Sequence, residues 1–347
     1  MKNKVLYIDP VSHRAHVNFN KLQLNSLLRC SDVSCVFKQG YSTLLGEYST
    51  NVVLEIPSPF YDFKGNGLVT RIQYWRILRY LKRNIDFSQY DKVIYSYYEE
   101  ISYFFASMPK GALLFNHVNI AGLTSFVKRW FYKMVSRCNT QLVFNERMKD
   151  YLNLIGVTKV EIVPHGMLPK FEEPKISAIN EINIDLNSYS KVLFMPSATS
   201  ANQSFVKELL CSQKFNDYLI SKNYLLIVKG NYSCLDSSHV LMLKHFLSDE
   251  CYQYLLVKSD IIILAYHEEF INRVSGVLFE CVSNEKNVIM SNVDGLLAYK
   301  DVFSDYPYFT DIESLIEKID YYDSHESIYR QDYNRDALEP NYEKVLR

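Results

Sequence analysis

Short runs rich in β-branched and aromatic residues recur along this chain, each followed by a segment with helical spacing, and after a break the pattern begins again. Val5–Ile8, Val52–Ile56, Lys92–Tyr95, Ala112–Phe115, Gln141–Phe144 and Glu161–Val163 read as strands. Asn18–Leu28, Ile72–Arg83, Ser125–Ser136 and Glu146–Leu154 carry the three-to-four residue apolar period of helices. Strands alternating with helices close into a parallel, doubly wound sheet. The second series is Val192–Met195 as strand, Phe205–Cys211 as helix, Tyr224–Val228 as strand and Ser238–Phe246 as helix. Ile261–Ala265 (strand), Val277–Val282 (helix) and Asn287–Met290 (strand) complete it.

Between the two series Pro164, Pro169 and Pro174 cluster with Gly166, which neither a helix nor a central strand tolerates. The expectation is an α/β protein of two Rossmann-like doubly wound domains, residues 1–170 and 171–326, with a charged tail at 327–347 that packs back on the first domain or stands apart. A length of 347 residues suits two cores better than one. The seven cysteines are odd in number and scattered, with no zinc-like spacing, and read as free thiols. The segment Met1–Asp9 runs straight into a strand, and no stretch nears the roughly 20 apolar residues of a membrane span. The expected location is therefore cytoplasmic. A net charge of −1 argues against polyanion binding by the molecule as a whole.

The richest stretch for chemistry is Ser259–Asp294. A buried strand, Ser259 to Tyr266, leads through Arg273, Val274, Ser275 and Gly276 into a helix carrying Glu280. A small residue and a glycine at a helix start let backbone N–H groups approach an anion, and the helix dipole favours negative charge. A diphosphate suits such a turn at the carboxyl end of a parallel sheet, with Glu280 one turn inside to accept from ribose hydroxyls. The same residues also suit an ordinary capped helix bearing a surface glutamate.

In this stretch the chain resembles the donor-binding signature of the family 4 retaining glycosyltransferases, enzymes of the GT-B architecture whose two Rossmann domains face a central cleft. The resemblance rests on the ordered set Ser259–Tyr266, Ser275-Gly276 to Glu280, Asn287–Asn292 and Val293-Asp294-Gly295, preceded by Leu142–Glu146 and Val160–Met167. It covers roughly residues 140–300 and implies a sugar transferase using a UDP- or GDP-sugar as donor substrate, without cofactor or metal. No Asp-x-Asp motif is present. Glu280 matches the second of the family's two glutamates, whereas Asn272 stands at the first, where the family's carboxylate contacts the transferred sugar. After the first strand of the second domain, where the family has a glycine and a Lys or Arg, this chain has the segment Pro196–Ser204, with Asn202 near the expected lysine; its Ser197 and Thr199 hydroxyls can bind phosphate but bring no positive charge. Charge compensation then falls to Arg273 or Lys229.

For the first domain the resemblance implies acceptor contacts from the loop after the first strand, which carries His13 and His16, and a donor-sugar contact from His117. A lone histidine at a strand end is more often a structural residue, and the same holds for His165. The implied mechanism is metal-independent, with diphosphate departure stabilised electrostatically and no hydrolase-type carboxylate pair.

Arg71–Arg83 and the 125–137 segment interleave basic with apolar and aromatic residues and hold no acid. Such helices suit an anionic membrane surface, or present a core-facing stripe with a solvated basic back; no nucleic-acid motif accompanies them. The expected function is transfer of a sugar to a glycan or lipid-linked glycan, as in bacterial surface-polysaccharide assembly. A GT-B nucleotide-sugar epimerase, or a degenerate binding partner in an assembly complex, is the alternative.

Overall fold

The structure, a computed structural model, describes every residue except 1, 62–66, 172–181, 183, 197–203, 233–236, 245–246, 268–269, 326–328 and 331. By internal contacts the chain divides into two units. Unit 1 is Met1–Gly166 with Asn272–Val274 and Arg335–Arg347; unit 2 is Met167–Ile271 with Ser275–Asn334.

Unit 1 runs β1 (Asn3–Ile8), α1 (Val17–Cys30), β2 (Ser31–Lys38), β3 (Val52–Ile56), α2 (Gly67–Asn84), β4 (Lys92–Tyr95) and α3 (Glu100–Ala106). It continues with β5 (Leu113–Phe115), α4 (Phe126–Ser136), β6 (Thr140–Val143), α5 (Glu146–Leu154) and β7 (Val160–Ile162). Its seven strands pair in parallel in the order β3-β2-β1-β4-β5-β6-β7. Burial on both faces explains why β1, β4 and β5 end in unbroken apolar runs: Val5 to Ile8, Ile94, Tyr95 and Leu113 to Phe115 are essentially inaccessible. Strand β2 escapes a reading by period because Ser31 follows Cys30 of α1 with no turn residue between them.

Unit 2 runs β8 (Lys191–Met195), α6 (Ser204–Cys211), α7 (Gln213–Lys222), β9 (Tyr224–Lys229), β10 (Val240–Leu243), α8 (Asp249–Lys258) and β11 (Ile261–Leu264). Then come α9 (Gly276–Ser283), β12 (Asn287–Ser291), α10 (Asp294–Leu297), β13 (Tyr308–Phe309) and α11 (Ile312–Tyr321). The six strands pair in parallel as β10-β9-β8-β11-β12-β13. One expectation is overturned here: within the expected helix Ser238–Phe246, residues Val240–Leu243 form the edge strand β10, in register with β9 from Val240 opposite Leu226 to Leu243 opposite Lys229. The apolar run Val240-Leu241-Met242-Leu243 is strand length, too short for period to tell the two apart, and pairing with β9 decides the matter.

The tail returns to unit 1 and ends in α12 (Glu343–Leu346), with Tyr342, Val345 and Leu346 in the core of that unit. The Tyr342 hydroxyl donates to Gln23 Oε1 at 2.6 Å, and Gln23 Nε2 donates to the His165 carbonyl at 2.9 Å. Gly166 N donates to the Leu338 carbonyl at 3.0 Å, and Asn3 Nδ2 to the Leu346 carbonyl at 2.9 Å. No helix among the described residues is long and apolar enough to cross a membrane.

Candidate functional site

In unit 2 the sequence-predicted residues gather at the carboxyl end of the sheet. Ser275 is the N-cap of α9, its Oγ accepting from Leu278 N at 3.1 Å and sharing a 2.7 Å hydrogen bond with the Tyr266 hydroxyl. The first N–H groups of a helix have no intrahelical acceptor, so with Leu278 satisfied those of Gly276 and Val277 remain for a ligand at the positive end of the helix. Leu278, Phe279, Cys281 and Val282 hold the helix in place by burial. Glu280 sits on the same helix, half-buried, and its Oε2 accepts from the Tyr252 hydroxyl of α8 at 2.5 Å.

Burial pushes the Glu280 carboxyl up to about 7, while the Tyr252 hydrogen bond and the charge of Lys229 pull the other way. Lys229 closes β9; its own burial draws its ammonium down, and Glu280 resists that change. The two residues thus feel each other's charge across the strand ends. A cavity of about 310 Å³ opens past β11, β12 and β13, lined by Tyr266, Ser291, Asn292 and Thr310 among others. Tyr252 was invisible to sequence reasoning, since a tyrosine at an amphipathic helix position gives no sign of what its hydroxyl reaches.

Asn272 and Arg273 group with unit 1 by contacts, and Val274 packs against the core of that unit. Asn272 adopts φ +53°, a left-handed conformation in which asparagine is several-fold enriched. Arg273 Nε is buried with no hydrogen-bond partner among the described residues. Ser197 and Thr199 lie outside the described residues, as does Asn202.

In unit 1 three imidazoles converge at the carboxyl ends of the strands, where the strand order reverses between β1 and β4. His16, just before α1, stacks on His117, which follows β5, with ring centroids 5.0 Å apart and planes 21° from parallel. Phe19 of α1 forms the floor, edge-on to His117 at 4.6 Å and 5.2 Å from the ring of His165. Burial, together with the neighbouring His16 and His165, holds the His117 imidazole well below its ordinary value, so it is neutral at neutral pH. Burial likewise draws His165 down to about 4. His117 Nε2 is buried without a hydrogen-bond partner among the described residues. His13 is exposed, its ring 6.3 Å from His16.

Asp9, which directly follows β1 and is fully buried, anchors this cluster. Its carboxylate accepts from Ser12 N at 2.9 Å, Val11 N at 3.1 Å and Asn20 Nδ2 at 2.8 Å, and lies 3.6 Å from His16 Nδ1. Burial pushes the carboxyl up, but His16, Asn20 and the Ser12 N–H outweigh it and leave Asp9 below its usual range. Asp9 completes a cluster of which the sequence analysis weighed only the histidines; nothing local in the spacing pairs it with His117 or His165. Among the described residues no group of three His, Cys, Asp or Glu side chains is placed to hold a metal ion.

No family model matches this sequence, and no curated protein matches it by sequence at a significant level. Solved structures do match the fold. Anabaena HepE in complex with UDP and glucose aligns at TM-score 0.61 and 14% identity, over 99% of this chain and 94% of that one. A UDP-forming trehalose-phosphate synthase from Burkholderia xenovorans aligns at 0.59 and 10% identity, over 94% and 92%. A glycosyltransferase from Rickettsia africae aligns at 0.57 and 15% identity, over 93% and 88%. The two parallel sheets with their helices are the paired Rossmann-like domains of the GT-B fold.

Proposed function

We propose that this chain is a glycosyltransferase that takes a sugar from a nucleotide-diphosphate donor. The observation that carries the reading is the meeting of the Ser275-capped start of α9, Glu280 and Lys229 at one sheet end. In this assignment the diphosphate lies against the N–H groups of Gly276 and Val277, with Lys229 answering its charge. Glu280 accepts from the ribose hydroxyls. The GT-B fold of UDP- and UDP-glucose-bound HepE and of the UDP-forming synthase supports a UDP-sugar as donor. His16 and His117 serve on the sugar and acceptor side, with His13 at its exposed margin. The acceptor we assign is a glycan or lipid-linked glycan, in a bacterial surface-polysaccharide setting, with retained anomeric configuration and no metal.

A second reading, a GT-B protein that binds a nucleotide sugar without transferring it, draws on Asn272. Its φ of +53° accounts for an asparagine there without any sugar contact. Titration calorimetry with UDP, GDP and their sugars, followed by mass detection of product with candidate acceptors, separates the readings. Donor binding with acceptor-dependent product supports transfer; binding without product supports the second reading; no binding to any nucleotide overturns both.

A further inference from the structure

Helices α2, α3 and α4 of unit 1 follow rightward crossovers in the strand order, from β3 to β4, β4 to β5 and β5 to β6, which puts all three on one face of the sheet. Their outer surface is unusual in two ways. It exposes large apolar side chains: Phe126 at 80%, Phe105 at 59%, Trp130 at 46% and Trp75 at 40%, with Ile72 and Val127 beside them. The rings of α3 and α4 form one patch, with Phe104 5.9 Å from Trp130 and Phe105 5.4 Å from Phe131. The surface is also strongly basic. Residues 67–84 hold five Lys or Arg and 125–137 hold four, with no Asp or Glu in either segment. Of the two acids that α3 brings nearby, Glu99 is held by Arg71 at 3.1 Å and Glu100 is buried.

We propose that this face docks on an anionic lipid bilayer. Phe105, Phe126, Val127 and Trp130 enter the headgroup–acyl boundary, while Arg76, Arg79, Lys82, Arg83 and Lys133 meet the lipid phosphates. Exposed aromatic rings ringed by long cationic side chains match the layered chemistry of a bilayer surface, apolar below and anionic above. Nucleic acid would match the charge but leave the phenylalanines in water, and a second copy of this chain would set the same positive faces against each other. The docking is independent of the transferase reading, since partition onto vesicles needs no donor.

The chain has only two tryptophans, Trp75 and Trp130, and both lie on this face, so their emission reports on it directly. Expected is a blue shift and co-sedimentation with vesicles of phosphatidylcholine and phosphatidylglycerol, and neither with phosphatidylcholine alone. Arg76→Glu with Arg83→Glu, and separately Phe105→Ser with Phe126→Ser, should each lower partition at least about tenfold with circular dichroism and nucleotide affinity unchanged. Failure of the parent protein to co-sediment with the anionic vesicles would overturn the proposal. So would a concentration-dependent blue shift without lipid that the same substitutions abolish, which assigns the face to a second copy. Retention on single-stranded DNA with unshifted emission on vesicles would assign it to nucleic acid.

Discussion

The Tyr252 hydroxyl donates a 2.5 Å hydrogen bond to Glu280, joining α8 to α9 at the sheet end that Lys229 also reaches. A hydrogen bond to the ionised form favours ionisation, and burial opposes it. With burial the larger of the two, Glu280 titrates at about 7.

Replacing Tyr252 by Phe removes the donor that favours the carboxylate, so Glu280 will titrate higher than its present value of about 7. At about pH 7 nucleotide affinity should fall roughly threefold to tenfold, and raising the pH to about 9 should restore most of it. Calorimetry across that range checks this. A loss that does not change with pH would mean that Tyr252 acts through shape alone.

Glu280→Gln should change folding and binding in opposite directions. The folded carboxyl titrates at about 7 against an ordinary 4.5, so between those values the unfolded chain ionises while the folded one keeps its proton. Stability contributed by Glu280 is therefore full below about pH 4.5 and lost as pH rises to about 7. Glutamine does not ionise, so at about pH 8 the variant should be more stable by about 1–3 kcal/mol, solvent screening at a half-buried site trimming the full shift. Chemical denaturation at acid and alkaline pH should show the gap closing in acid, while nucleotide affinity falls at neutral pH.

His117 carries a buried Nε2 with no partner among the described residues, an arrangement that costs folding energy. His117→Leu should leave thermal stability unchanged or raise it by about 1 kcal/mol. Turnover, once a donor and acceptor pair is in hand, should drop sharply. A loss of several kcal/mol on melting would instead make His117 a packing residue of the Phe19 cluster.

At Gly166 the backbone sits at φ +93°, and a Cβ there would stand 3.2 Å from both Leu22 Cδ1 and the Pro340 ring. Gly166→Ala should destabilise unit 1 by about 1–3 kcal/mol through backbone strain and crowding. Thermal melting measures the loss, and nucleotide affinity, which we assign to unit 2, should be unaffected.

The parts of this fold that read from sequence are those with local grammar. Strands buried on both faces show as apolar runs, as in Ile261–Leu264, and the start of α9 shows because Ser275 is a capping residue three positions before Leu278. Strand β10 was misread because four apolar residues carry no usable period, and β2 because it follows α1 without a break. The site divides in the same way. Ser275, Gly276 and Glu280 stand in one helical segment, so spacing finds them. Tyr252, Asp9 and His165 join their clusters only through sheet topology, from strands and helices far apart in the chain.

The return of 335–347 to unit 1 also bears on how the protein is made. Synthesis proceeds from the amino end, so β1, α1 and the His165 turn emerge well before the residues that clasp them, with all of unit 2 in between. Gln23, left without the Tyr342 hydroxyl, and Gly166, left without the Leu338 carbonyl, must wait with their bonds unmade. A nascent chain stalled on the ribosome within unit 2 would therefore hold a complete seven-stranded sheet whose α1 flank remains open to proteases and chaperones.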